Sequence, residues 1–161
     1  MCLRLTKRSV DLIMYSLGLD HELCGYAKEQ DGILDLIFTT RGKSSSCIQS
    51  TRHKIIWHSH KKLGKNYPSD KDILKVIEHR NVTTSIIFTT AGIWVLRASE
   101  EKKFVKEKDK LQKANYDYYY NSDGGMFLNT RYINYEYMPR LRELLGKYGF
   151  KISFCPWGDV I

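Results

Sequence analysis

Two histidines separated by one residue, His58-Ser59-His60, close the apolar run Ile55-Ile56-Trp57. Side chains on a strand alternate faces, so both imidazoles project to one side and two metal donors are preset. Nine residues past His60 the chain reads Ser69-Asp70-Lys71-Asp72, and Ser69 and Asp72, three apart in a first helical turn, share a face. Asp72 thereby completes a His, His, Asp donor set. Three protein donors leave zinc's fourth position for water, the arrangement of a catalytic rather than a structural site. Water held there acts as a nucleophile near pH 7. A general base must then lie within hydrogen-bond reach, and Glu22, in Glu22-Leu23-Cys24-Gly25-Tyr26-Ala27, is the candidate.

Taken singly, each of these signals has a plainer reading. Ser69-x-x-Asp72 is close to a helix capping box, in which the serine oxygen takes an orphan N–H and the acidic residue reaches back. A His-x-His pair arises by chance in a chain with five histidines, and Glu22 by itself is a charged residue near a turn. His53 and His79 are candidates for orienting a ligand through a hydrogen bond, or ordinary solvated side chains. Trp57 and Trp94 read as core, and Cys24 and Cys47 as small buried apolar residues.

The elements that must position these groups follow from periodicity. Val10, Ile13, Met14 and Leu17 give residues 9–17 one apolar helical face. Residues 21–28 and 33–40 read as strands joined at Gln30-Asp31-Gly32, because Asp-Gly supplies the positive φ of a tight hairpin. Residues 53–57 form a buried strand running into the histidines, 61–68 a polar loop, and 69–79 a helix with Ile73, Leu74, Val76 and Ile77 on its stripe. Two more strands, 83–90 and 93–97, flank Ala91-Gly92 and are dense in β-branched and aromatic residues. A long exposed helix is predicted over 100–120, ending in the tyrosines at 116 and 118–120, with a breaker at 121–125. Residues 132–148 read as a further helix that Pro139 starts or kinks, and 151–154 as a last strand.

At 161 residues the chain holds one ordinary core, so a single domain over 1–161 is expected. No apolar run is long enough to span a bilayer and no secretory signal is visible, which predicts no membrane partner and a cytoplasmic protein. Four scattered cysteines without a CxxC pair suggest neither a zinc ribbon nor a dense disulfide framework. The net charge of +8 is uneven. Residues 41–80 carry ten Lys or Arg against three acids, whereas residues 1–40 carry four against six. A basic field around one segment suggests an acidic protein or nucleic acid as partner.

Glu22 with Cys24-Gly25, then His58-Ser59-His60, then Tyr67-Pro68-Ser69-Asp70-Lys71-Asp72-Ile73, resembles in order and spacing the signature of the JAMM (MPN-plus) zinc metalloproteases. The stretch from Ile86 to Val95, with its Ala91-Gly92 turn, is similar to the strand, glycine turn and strand that follow in that family. The resemblance covers about residues 10–98 and is closest to the small forms encoded by large DNA viruses, which would place the protein in the host cytoplasm or the virion. It implies an α/β fold with a curved mixed sheet flanked by helices, here with extra C-terminal helices over 100–161. It also implies zinc held by His58, His60 and Asp72, Glu22 as general acid and base, and Ser69 hydrogen-bonding the oxyanion or the bound water. The implied activity is hydrolysis of peptide or isopeptide bonds, commonly in conjugates of ubiquitin or ubiquitin-like proteins. Two departures stand out: Lys61 occupies a position where proline is usual, and the loop from His60 to Ser69 holds eight residues where seven is usual. An inactive scaffold of the same fold, or a basic virion-associated nucleic-acid-binding protein, is the alternative.

Overall fold

The computed structural model describes residues 3–43, 47, 52–62, 66–79, 81–98, 138–147 and 149–157. In chain order they form β1 (Arg4–Leu5), α1 (Lys7–Leu17), β2 (Leu23–Gln30), β3 (Ile33–Arg41), β4 (Ile55–Ser59), α2 (Asp70–Glu78), β5 (Thr84–Phe88), β6 (Gly92–Ala98), α3 (Met138–Gly146) and β7 (Phe150–Pro156). The strands make one mixed sheet in the order β1-β3-β2-β4-β5-β6-β7. β1 with β3 and β4 with β5 run parallel, and the other neighbours antiparallel. The α/β class is therefore as expected.

Alternation along the strands divides the core in two. Trp57, Ile86, Phe88, Ile93 and Val95 turn toward Ile13 of α1. Ile56, Ile87, Trp94 and Leu96 turn toward Ile73 and Val76 of α2 and Leu145 of α3. A sheet covered on both faces needs apolar residues at nearly every position of its central strands, which is why β4, β5 and β6 read as almost unbroken apolar runs. Both tryptophans predicted as core are fully buried.

The β2–β3 hairpin turns at Asp31 (φ 54°) and Gly32 (φ 77°), with Gln30 opposite Ile33. Two consecutive positive φ values are what a two-residue connection between twisted strands requires. Helix α1 starts at the cap Thr6, whose Oγ1 accepts from Ser9 N, and the buried Ser9 hydroxyl accepts from Leu36 N on β3. Arg8 donates to Asp35 at 2.8 Å, which holds the Asp35 carboxyl below its ordinary range. These bonds fix α1 to the β3 side of the sheet.

Several expectations need correction. Cys24 and Cys47 are buried as foreseen, but they are joined in a disulfide, and Cys155 is disulfide-bonded too. The hairpin returns residue 47 beside Cys24 across 23 residues of sequence, a proximity that spacing alone does not reveal. The first hairpin strand begins at Leu23, so Glu22 lies just before it. The strand leading into the histidine pair runs over Ile55–Ser59, two residues later than predicted. The last strand extends beyond 151–154 at both ends because it pairs with the whole of β6. The helix predicted over 132–148 is described from Met138 and carries Pro139 in its first turn, where a missing N–H costs no intrahelical bond. The helix predicted over 100–120 and the breaker at 121–125 lie outside the described residues. No described helix is long and apolar enough to cross a membrane.

Candidate metal centre

Strand β4 presents His58 on the face shared with α2 and sends Trp57 to the opposite face, as a period of two demands. His60 follows directly after the strand and is fixed by its own N–H, which donates to Phe88 O at 2.8 Å. From the other side, α2 delivers Asp72. Ser69 Oγ accepts from Asp72 N at 3.1 Å while Asp72 Oδ2 accepts from Ser69 N at 2.9 Å. The capping box and the donor set are thus one device: the helix start that satisfies its orphan N–H groups also aims the carboxylate at the histidines. Ser69 is placed beside the centre, and its Oγ lone pair is engaged in the cap.

The three donors converge closely. His58 Nε2 lies 3.2 Å from Asp72 Oδ1, and His60 Nε2 lies 3.2 Å from Asp72 Oδ2. Ligands around a tetrahedral zinc with bonds of about 2.1 Å sit about 3.4 Å apart, so this spacing suits that ion. His58 has no solvent exposure, and the approach to Oδ1 lacks the angle of a hydrogen bond, leaving both of its ring nitrogens without a hydrogen-bond partner. An imidazole so deeply buried with an orphaned Nε2 is costly unless something else uses that lone pair. Two imidazoles and a carboxylate are the donor types zinc prefers at a catalytic centre. Among the described residues His58, His60 and Asp72 are the one such cluster.

Electrostatics keep the donors in ligand form. Burial pushes His58 down, so its imidazole is neutral near pH 7. Burial alone would raise Asp72, but the two imidazoles beside it, His58 at 3.2 Å first and then His60, outweigh it and hold the carboxyl well below its ordinary range.

Glu22 joins this group across the sheet. Cys24 is the register partner of His58, and two residues earlier the Glu22 carboxylate comes within 3.9 Å of His58 Nε2. Its backbone is clamped on one side by Gly42 N, which donates to Glu22 O at 2.7 Å, and by Lys43 O, which accepts from Glu22 N at 3.0 Å. On the other side Ser59 Oγ accepts from Leu23 N at 3.1 Å. Burial raises the Glu22 carboxyl to about 7; Asp72 adds to the rise, and His60, Lys75 and Lys61 oppose it.

The four predicted chemical residues, with Ser69, are therefore gathered in one place. His53 is not among them: it stacks face to face on Tyr26 with centroids 3.7 Å apart. His79 is the C-cap residue of α2, at the helix end remote from Asp72. The altered loop after His60 is anchored by Lys62 N on Leu19 O, by Trp94 Nε1 on Asn66 O and by Thr90 Oγ1 on Asn66 Oδ1. Its departures therefore leave the donors in position.

Two contributors escaped sequence reading. Ser59 passes for a spacer between histidines, yet on the opposite face it ties β4 to β2. Gly25 admits the Trp57 indole beneath β2, where its N–H reaches Tyr26 O and Ile37 O; a Cβ at Gly25 would lie 1.8 Å from Ile37 O. Period-two alternation exposes the first as a core-facing hydroxyl, while nothing in the sequence signals the second beyond a glycine within a strand.

No family model, curated protein or solved structure matches this chain. The reading of the centre therefore rests on its own geometry.

Proposed function

We propose that the protein is a zinc-dependent hydrolase of peptide or isopeptide bonds of the JAMM type, acting on ubiquitin or ubiquitin-like conjugates. The observation that carries this reading is the buried His58, whose orphaned Nε2 faces the Asp72 and Glu22 carboxylates together. A purely structural cluster would have no need to bring a second acid, with its proton affinity raised to about 7, to that nitrogen.

His58, His60 and Asp72 would hold the ion. Bound there, zinc supplies Lewis-acid polarisation of the scissile carbonyl and brings the pKa of water near 7. Glu22 takes the proton of the attacking water and returns it to the departing amine; a carboxyl titrating close to neutrality serves both transfers. Ser69 Oγ accepts from Asp72 N, so its own hydrogen remains to be donated to the developing oxyanion. The capping box keeps Asp72 and Ser69 in fixed relation while this happens.

Elemental analysis tests the assignment of ligands. The protein is expected to bind about one zinc per chain, with occupancy falling in His58→Ala, His60→Ala and Asp72→Ala and unchanged in His53→Ala. Equal behaviour of all four would refute the ligand set. Metal-loaded protein should also cleave members of a panel of ubiquitin chains and ubiquitin-like conjugates, and failure across the whole panel would contradict the substrate class.

A further inference from the structure

The basic segment of the sequence is not spread evenly over the fold. Arg41 is the register partner of Leu23, next to Glu22, and Lys43 holds the Glu22 backbone through its carbonyl. Lys61 and Lys62 follow His60 directly, Lys62 N donating to Leu19 O, and Lys71 precedes Asp72 on the first turn of α2. Lys61 is half-buried, while Arg41, Lys43, Lys62 and Lys71 are exposed. Among the described residues none of the five forms a salt bridge, in contrast to Arg8, which is paired with Asp35. Arg52 and Lys54 belong to the same basic segment but precede β4. Lys54 lies six residue steps before His60 along the extended chain, about 20 Å, so these two cations mark the opposite end of the sheet.

We propose that Arg41, Lys43, Lys61, Lys62 and Lys71 form a docking rim for an acidic polypeptide, whose carboxylates flank the bond presented to the His58, His60 and Asp72 centre. Cations gathered around one centre without salt-bridge partners focus a field on it and speed the encounter with an anionic partner. Their arrangement favours a polypeptide over a nucleic acid. The centre they surround is read as a hydrolase of peptide or isopeptide bonds, so the chain it presents to them is a polypeptide. The rim deepens the hydrolase reading by naming the character of its substrate, but its binding is measurable without turnover.

The test uses the full chain carrying Glu22→Gln and a fluorescent glutamate-rich peptide, with a lysine-rich peptide and a single-stranded oligonucleotide of equal length as comparisons. Lys43→Glu, Lys62→Glu and Lys71→Glu together alter side chains whose backbone bonds remain available, and Glu suits the first turn of α2. The triple variant is expected to slow association of the acidic peptide about tenfold or more at low ionic strength, with the difference shrinking toward about 0.5 M salt. Reversal of Arg52 and Lys54 should change it less than twofold, and thermal melting of both variants confirms that they are folded. Equal effects of the two reversals, or none, would overturn the proposal. So would tighter binding of the oligonucleotide than of the acidic peptide. Because Glu22→Gln removes turnover from the measurement, absence of hydrolysis elsewhere would count against the enzymatic reading and leave the rim to be judged on binding alone.

Discussion

Glu22 is the residue on which chemistry and stability meet. Its carboxyl titrates at about 7 in the fold against an ordinary 4.5, chiefly because it is buried. The folded protein therefore keeps a proton that the unfolded chain releases. The sign follows: the native state is favoured fully below pH 4.5, and this contribution is lost as pH rises through 7. Above about pH 8 the loss amounts to roughly 3 kcal/mol. In metal-free protein, Glu22→Gln should gain stability relative to wild type as pH goes from 4.5 to 7, and the gain should then level off. Denaturant unfolding on either side of this window, at about pH 4 and about pH 8, checks this, and an identical offset at both would show that the carboxyl is not desolvated. The histidines and Asp72 were legible in the sequence because each depends on a local rule: alternation places the imidazoles and helical capping places the carboxylate. The position of Glu22 against them depends on how two strands pair, which local rules leave open, and it was the order of the motif that pointed to it.

At the scale of elements, the centre is held by the seam between β2 and β4. Ser59, with no solvent exposure, bonds the Leu23 backbone from the face opposite the histidines. Ser59→Ala should leave zinc bound and lower kcat about tenfold by loosening Glu22, with KM little changed. Ser59→Thr, which keeps the hydroxyl, should restore most of the rate. A double-mutant cycle adds a sharper criterion: in a Glu22→Gln background Ser59→Ala should have little further effect, because it acts through the missing carboxylate. Independent losses would reduce Ser59 to a core residue with no bearing on Glu22. The hairpin was readable from Asp31-Gly32 and the β5–β6 pair from its apolar density. The register of β2 on β4 and the Cys24–Cys47 link were not, because both join segments far apart in sequence and arise only once the sheet is assembled.

The whole molecule places its donors at the C-terminal end of β4, where a parallel pair, β4 and β5, is joined through α2. Crevices of this kind lie outside the carboxyl ends of parallel strands, where loops are free to carry chemistry while the sheet stays rigid. The uneven charge visible in the sequence is resolved by the fold into cations beside the centre and cations at the far end of the sheet, a division that no running sum along the chain foretells. One carboxylate at this end of the sheet, Glu22, is proposed to move the proton. Glu29 supplies the comparison, since it is exposed and seven strand residues, about 23 Å, from Glu22. The most direct measurement is kcat for conjugate cleavage by zinc-loaded wild type, Glu22→Gln and Glu29→Gln, with zinc content and melting temperature recorded for each. Glu22→Gln should lose roughly 10²- to 10⁴-fold in kcat with zinc retained and the fold intact, while Glu29→Gln stays near wild type. Near-wild-type turnover by Glu22→Gln, or a loss explained by missing zinc or unfolding, would show that Glu22 is not the general base.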